Sequence, residues 1–205
     1  MPETKLKRHS ILEPALPDLY DQGADEDHAA VRIEEHPFYG HLVIRSLDTL
    51  KALNEAVEPV LGCKLGTKPN HVTTQGDVRV FWLREGQWLV LTPEKKHLSL
   101  FGKLDKALSD MDSSVVDTSD GHTLLRLSGP KSRDVLMKGC PLDIHPRVFK
   151  KDAMALTRIV HADILLHHVG QDIYEINVRT SFAEYLLRWL YDAALEYGVS
   201  VMKKD

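Results

Sequence analysis

The stretch "HVGQDIYEINVRTSFAEYLLRWL", residues 168–190, carries the strongest fold signal in the sequence. Its first part has two apolar segments around a Gly-Gln turn, which is typical of a β-hairpin. Its second part predicts a helix from Ser181 to about Tyr197, with Ser181 and Glu184 as a capping box and Gly198 as the stop. The predicted apolar face of this helix consists of Phe182, Tyr185, Leu186, Trp189, Leu190 and Ala193. Such a face indicates a helix that packs on a sheet.

An earlier stretch, "REGQWLVLTPEKKHLSLFGKL" at residues 84–104, repeats this order of hairpin and helix and suggests an old duplication. Its helix, which follows Pro93, is predicted to bury Leu98, Phe101, Leu104 and Leu108. Hairpins with helices between them predict an α+β, two-layer architecture of two ferredoxin-like β-α-β-β-α lobes rather than a doubly wound parallel sheet. The lobes are predicted to span about 31–112 and 113–205.

Two further segments complete the predicted architecture. "DTLKALNEAV" predicts a helix with Asp48 as its N-cap and Pro59 as its end. Residues 1–30 contain three prolines and an acidic run, so we predict an extended arm that does not fold independently. The apolar residues of the arm are Ile11, Leu12, Leu16, Leu19 and Tyr20. They could dock the arm on this chain or on another protein, and a frayed terminus is an equal alternative.

Composition indicates a single globular unit. The 205 residues are 43% hydrophobic and 27% charged, with a formal charge of −4, which gives no global attraction to nucleic acid or anionic lipid. No apolar run reaches the length that a bilayer requires, so no membrane partner is expected. The two cysteines, Cys63 and Cys140, are far apart and suggest thiols in a reducing compartment. We therefore predict a cytoplasmic location.

The segment "LRLSGPKSRDVLMKGCPLDIHPR", residues 125–147, could suggest a catalytic Cys140–His145 pair. Cys140 follows the C-terminal end of a predicted helix, where the helix dipole disfavours a thiolate. An inert buried thiol is the better interpretation. Gly129, Lys131 and Arg133 could suggest a phosphate site, but no Walker or dinucleotide motif is present. A proline at the first helical position would explain the Gly-Pro pair.

The eleven histidines lack the spacing of a zinc motif. His167 and His168 are adjacent on a predicted strand and should face opposite sides. His122, His145 and His161 could converge in space, although solvated or hydrogen-bonded histidines are the commoner outcome. Two acids at a strand entrance, Asp117 and Asp120, are explained by turn capping, whereas a catalytic dyad would require one of them to be desolvated. We predict no catalytic, cofactor-binding or metal-ligating residue in this chain.

Several segments together resemble one family. "VVDTSDGHTLLRLSGPKSRDVLMKGCPLDIHPRVF", "RTSFAEYLLRWLYDAALEYG", "GDVRVFWLREGQWLVLTP" and "RHSILEPAL" are similar to the gamma subunit of heterotetrameric sarcosine oxidase, over nearly the whole chain. The run from Gly139 to Arg147 is the most specific part of this resemblance.

The resemblance implies a non-catalytic chain in a flavoprotein that oxidatively demethylates sarcosine to glycine, passing the one-carbon unit to tetrahydrofolate and forming hydrogen peroxide. It implies alpha, beta and delta subunits as partners and FAD, FMN, NAD and zinc as cofactors of the complex, none of them in this chain. Cys140 and His145 would be structural or interfacial. Pro146, Arg147 and the apolar arm would be candidates for contact with the large subunit.

The resemblance extends to the folate-binding aminomethyltransferase fold, with one departure. Those enzymes have a Gly-Gly turn followed by paired aspartates, whereas this sequence reads "IVHADILLHH" and retains only Asp163. The departure implies that an ancestral folate site has been lost. Two alternatives stay open: a gamma-type subunit of an N-methylglutamate or other secondary-amine dehydrogenase, and an independent folate-dependent aminomethyltransferase-like protein.

Overall fold

The computed structural model of the chain describes residues 8–20 and 28–202. Within them, one sheet has six strands: β1 (Val31–His36), β7 (His122–Ser128), β8 (Met154–Ile159), β9 (Ala162–Gly170), β10 (Ile173–Arg179) and β11 (Val199–Met202). The other sheet has five: β2 (Gly40–Ser46), β3 (Val72–Gln75), β4 (Val78–Arg84), β5 (Gln87–Thr92) and β6 (Ser113–Asp117). The helices are α1 (Leu16–Tyr20), α2 (Leu50–Leu61), α3 (Glu94–Leu108), α4 (Ser132–Met137) and α5 (Thr180–Ala194). Two 3₁₀ turns cover Ser119–Gly121 and Leu195–Tyr197.

The strand order confirms the α+β class. It is β11-β1-β7-β10-β9-β8 in the six-stranded sheet and β3-β4-β5-β2-β6 in the five-stranded sheet. All described pairings between named strands are antiparallel except β1 with β11. Each sheet contains one strand from the predicted lobe that forms most of the other sheet. Strand β1 pairs with β7 in the six-stranded sheet, and β6 pairs with β2 in the five-stranded sheet.

The layers follow from the alternation of side chains along each strand. The outer face of the five-stranded sheet packs on α2 and α3, and that of the six-stranded sheet packs on α1, α4 and α5. The inner faces pack on each other through Val72, Phe81, Leu89, Leu91, Leu124, Met154 and Leu165. The predicted two-layer units therefore stack through their sheets into four layers, helix, sheet, sheet and helix.

The ends of α2 differ from the prediction. Thr49, not Asp48, is the N-cap, and its hydroxyl accepts from the Ala52 N–H. Pro59 lies inside the helix rather than ending it, because a proline in the last turn removes only one hydrogen bond. The helix ends at Gly62, where φ is +73° and the N–H donates to the Glu58 carbonyl.

The predicted capping box of α5 is absent. Arg179 occupies the N-cap position without a side-chain cap, and Glu184 instead accepts from Arg188 one turn later. Gly198 follows the 3₁₀ turn with φ of +73°, as the stop signal predicted. Phe182 and Tyr185 are partly exposed at the edge of the packed face. The face of α3 was predicted in part, since Leu104 and Leu108 are buried, whereas Leu98 points to solvent and Leu100 is buried instead.

The arm docks on its own chain over the residues that the structure describes. Leu12, Leu16 and Leu19 are buried in the same core as α5, and Ile11 is exposed. Arg8 donates to Glu94 at 2.9 Å and lies over the Phe38 ring at 4.3 Å. Within 8–20 and 28–202, no helix is long and apolar enough to cross a bilayer.

Candidate functional site

An open cleft of about 770 Å³ lies between the two sheets. The inward rows of β8, β9 and β10 form one wall, and those of β2, β4 and β5 form the other. The apolar contact between the sheets and the ion cluster of Arg79, Arg126 and Glu175 occupy the rest of the inter-sheet space. The cleft is thus the part of the inner faces that the fold leaves uncovered.

A polar row crosses the wall of the six-stranded sheet. Arg158 of β8 is the cross-strand partner of Asp163 of β9. Arg179 of β10 is the partner of His122 of β7. The β9–β10 register places Ile164 opposite Val178, so Asp163 and Arg179 are next in line on these strands. Strand register therefore assembles two guanidinium groups, one carboxylate and one imidazole from four strands.

The opposite wall has an apolar part, in which Val43, Leu83 and Leu89 face the cleft. Arg45 of β2 and its cross-strand partner Gln87 close its outer end. The cleft therefore combines an apolar floor with an excess of positive charge.

His41 presents an unpaired acceptor at this cleft. The residue is 1% exposed, and its Nδ1 donates to the Tyr39 carbonyl at 2.9 Å. The lone pair is therefore on Nε2, which has no hydrogen-bond partner among the described residues. Burial and then the neighbouring His122 ring, stacked at 5.4 Å, lower the pKa of His41 to about 3. His41 is neutral at physiological pH.

Beside the cleft, a Ser, His and Asp cluster joins three elements. His97 of α3 shares Nε2 with Asp117 Oδ2 at 2.7 Å and with Ser119 Oγ at 3.2 Å. Ser119 also donates to Asp117. A catalytic triad uses both ring nitrogens of the histidine, whereas here the carboxylate and the hydroxyl share the single nitrogen Nε2. Burial raises the pKa of Asp117, but hydrogen bonds from Ser119 and His97 outweigh it and bring the pKa below its usual value.

Cys140 and His145, the candidate pair in the sequence, lie in different environments. Cys140 is buried, with its Sγ 3.8 Å from Thr157 Oγ1, whereas His145 is exposed and bonds to Arg147. No hydrogen bond joins Cys140 and His145. Pro146 and Arg147 are exposed.

The helix after the Gly-Pro pair begins later than the sequence predicted. The helix α4 begins at Ser132, so Pro130 precedes it and is not its first residue. The two basic residues are engaged within the chain, Lys131 with Asp134 at 2.8 Å and Arg133 with the Tyr174 hydroxyl at 3.0 Å. These contacts favour a structural role for the segment.

The histidines predicted to face opposite sides do so. His167 contacts Phe81 between the sheets, and His168 stacks between Phe149 and Tyr174 on the helical side. Of the three histidines that could converge, His122 lines the cleft, whereas His161 contacts Tyr185. In the described part of the chain, no group of three or more His, Cys, Asp or Glu residues is placed to hold a metal ion. Asp120 is fully exposed near Arg8, and Asp163 lines the cleft.

We expect acid to destabilise the protein through two buried histidines. Burial lowers the pKa of His41 and of His167 to about 3, from an unfolded value of 6.5. Between pH 6.5 and 3 the unfolded chain therefore binds more protons, and stability falls as pH falls. At pH 5 the loss is about 2 kcal/mol for each histidine.

The measurement is the free energy of unfolding against pH for the parent chain and His41→Gln. The variant should show a slope smaller by about one proton over this range. Leu98→Ala, an exposed substitution without a titrating group, should keep the parent slope. An unchanged slope in His41→Gln would contradict the neutral state of His41.

Comparison with known proteins gives one consistent family. The family description "Sarcosine oxidase, gamma subunit family" matches residues 47–196. The chain is 35% identical to the sarcosine oxidase subunit gamma of Corynebacterium sp. (strain P-1) over 147 residues, covering 72% of this chain and 70% of that protein. It is 31% identical to the Arthrobacter sp. subunit gamma over 170 residues, covering 82% of each.

Two solved structures are similar to this chain. A chain of heterotetrameric sarcosine oxidase from Corynebacterium sp. U-96, in complex with pyrrole 2-carboxylate, matches with a TM-score of 0.83 and 27% identity, over 93% of this chain and 96% of that chain. The glycine cleavage system aminomethyltransferase T of Bartonella henselae matches with a TM-score of 0.65 and 15% identity, over 85% of this chain and 48% of that chain. The second match shows a shared fold alone.

Proposed function

Because the chain belongs to the sarcosine oxidase gamma subunit family, we propose that it is the gamma chain of a heterotetrameric sarcosine oxidase. The observation that carries this proposal is the match to a chain of such a heterotetramer over nearly the full length of both, with a TM-score of 0.83. The assembled enzyme would demethylate sarcosine oxidatively to glycine, pass the one-carbon unit to tetrahydrofolate and form hydrogen peroxide.

The redox chemistry would take place in the other chains of the complex. FAD, FMN, NAD, zinc and tetrahydrofolate would belong to the alpha, beta and delta subunits, and the complex would act in the cytoplasm. The Ser119, His97 and Asp117 geometry supports a structural role for this chain, because the acid and the hydroxyl share one imidazole nitrogen. Cys140 supports it as well, since it is buried against Thr157 rather than beside a base.

A contact surface in this assembly is proposed at the loop before β8. Pro146, Arg147 and Val148 are consecutive exposed residues, and Val148 is 63% exposed. Exposed apolar residues beside a cation are common at interfaces between permanent subunits. The arm is already packed on its own chain through Leu12 and Leu16, so it is a weaker candidate for this contact.

Native purification tests the proposal. We expect a small-tagged chain, expressed in its own cells, to co-purify with three other subunits and with visible flavin absorbance. The purified assembly should consume oxygen with sarcosine. Turnover of N-methylglutamate in place of sarcosine would identify a gamma-type subunit of another amine dehydrogenase. A lone and colourless chain would overturn the proposal.

A further inference from the structure

Strand β8 is an edge of the six-stranded sheet and leaves part of its backbone unpaired. It pairs with β9 on one side. On the other side the Met154 N–H donates to the Asn70 carbonyl at 3.0 Å. Backbone groups of alternate strand residues point the same way, so Leu156 and Arg158 direct theirs to this edge. No described residue bonds to them there.

The side chains of these two residues face the cleft. Leu156 is 61% exposed, and Arg158 is exposed beside it. An open strand edge with an exposed apolar residue is a template for another strand. The edge and the cleft thus form one continuous surface.

The charge of this surface is unbalanced. The exposed Arg45, Arg158 and Arg179 line the cleft, and none of them has a carboxylate within 4 Å among the described residues. Asp163 is the single carboxylate in the lining. The surface is positive although the whole chain has a formal charge of −4. Its complement is an acidic segment.

We propose that the β8 edge and the adjoining cleft dock an extended acidic segment of a partner subunit. The segment adds as a strand about 4.8 Å from β8, bonded to the backbone of Leu156 and Arg158. Its inward carboxylate then meets Arg158, and the positive charge of Arg45 and Arg179 in the adjoining cleft favours an acidic chain. The inference rests on the proposed function, since it names the surface by which the gamma chain meets a partner.

A second copy of this chain fits the edge less well. Pairing of β8 with itself by a two-fold axis would place the Leu156 to Arg158 segments of both chains side by side. Arg158 would then lie opposite Leu156 of the other copy, so the two arginines would be diagonal neighbours on one face, and their like charges would oppose the pairing. An acidic partner removes this conflict.

Hydrogen exchange on the assembled complex tests the inference. The amides of Leu156 and Arg158 should exchange at least about tenfold more slowly in the complex than in the isolated chain. If the complex forms and these amides exchange equally fast in both, the docking inference is wrong and the proposed function stands. If no complex forms, both fail.

Variants of β8 give a second test. Leu156→Pro removes the edge N–H, and Arg158→Glu inverts one charge at the cleft; each should weaken assembly at least about tenfold. The matched controls are Leu156→Thr, which keeps the N–H, and Lys103→Glu, which makes the same charge change on the outer helix α3. Leu156→Thr should bind the partner subunits more tightly than Leu156→Pro, and Lys103→Glu more tightly than Arg158→Glu. Equal binding by Arg158→Glu and Lys103→Glu overturns the inference. A dimer of this chain that Leu156→Pro abolishes also overturns it.

Discussion

Replacing Glu175 with alanine is expected to lower the free energy of unfolding by about 3–5 kcal/mol. Glu175 is 1% exposed on β10, and its carboxylate pairs with Arg79 of β4 across the inter-sheet layer. Arg126 of β7 donates to the same carboxylate at 2.8 Å. The Arg79 side chain is only 11% exposed, so it cannot move into water when its partner is removed. The variant leaves a buried charge without compensation.

Two further variants separate this explanation from simple loss of packing. Changing Arg79 and Glu175 together to methionine should cost less than Glu175→Ala alone, because only the partly exposed Arg126 is then left without its partner. Arg126→Met should also cost less than Glu175→Ala, since the Arg126 side chain is 32% exposed and Arg79 keeps its partner. Denaturant unfolding of each chain gives the comparison. A loss below about 1 kcal/mol in Glu175→Ala would contradict the role assigned to this ion cluster.

Local sequence patterns predicted the elements that depend on neighbouring residues. The hairpins at Glu85-Gly86 and around Gln171 form as expected, because alternating apolar residues and turn formers specify them locally. Helix ends were less predictable, since several nearby polar residues compete to cap one end. Thr49 prevails over Asp48 in α2 because the Asp48 carboxylate instead accepts from the Ser113 hydroxyl at 2.7 Å.

The cleft could not be predicted, because its residues meet only through sheet register. Arg158 faces Asp163 within one hairpin, but His41, His122 and Arg179 come from three strands that are distant in sequence. The same holds for Arg79 and Glu175, whose contact requires the two sheets to stack. The sequence did contain one signal for this contact. Arg79 and Glu175 are charged residues within strands that are otherwise mostly apolar. Such a charge on an inner strand indicates a partner on the opposite sheet.

The largest effect expected from a single added methyl group is at Gly129. Gly129 has a φ of +107°, a backbone conformation that residues other than glycine adopt only with strain. An added Cβ would lie 2.4 Å from the Ala30 carbonyl oxygen, which is backbone and cannot rotate away. That oxygen also accepts from the Lys131 N–H at 3.2 Å, so the contact joins the start of β1 to the start of α4.

Gly129→Ala should therefore lower the free energy of unfolding by about 3 kcal/mol or more, from strain and overpacking together. Gly102→Ala is the matched control, because it adds the same methyl group inside α3, where no atom beyond the adjacent residues and the backbone of that helix lies within 4 Å of the added Cβ. That variant should raise stability by about 0.5–1 kcal/mol, since alanine favours a helix over glycine. Thermal and denaturant unfolding of the two variants should thus shift in opposite directions. A Gly129→Ala variant as stable as the parent chain would contradict the backbone strain and the close contact with the Ala30 carbonyl oxygen.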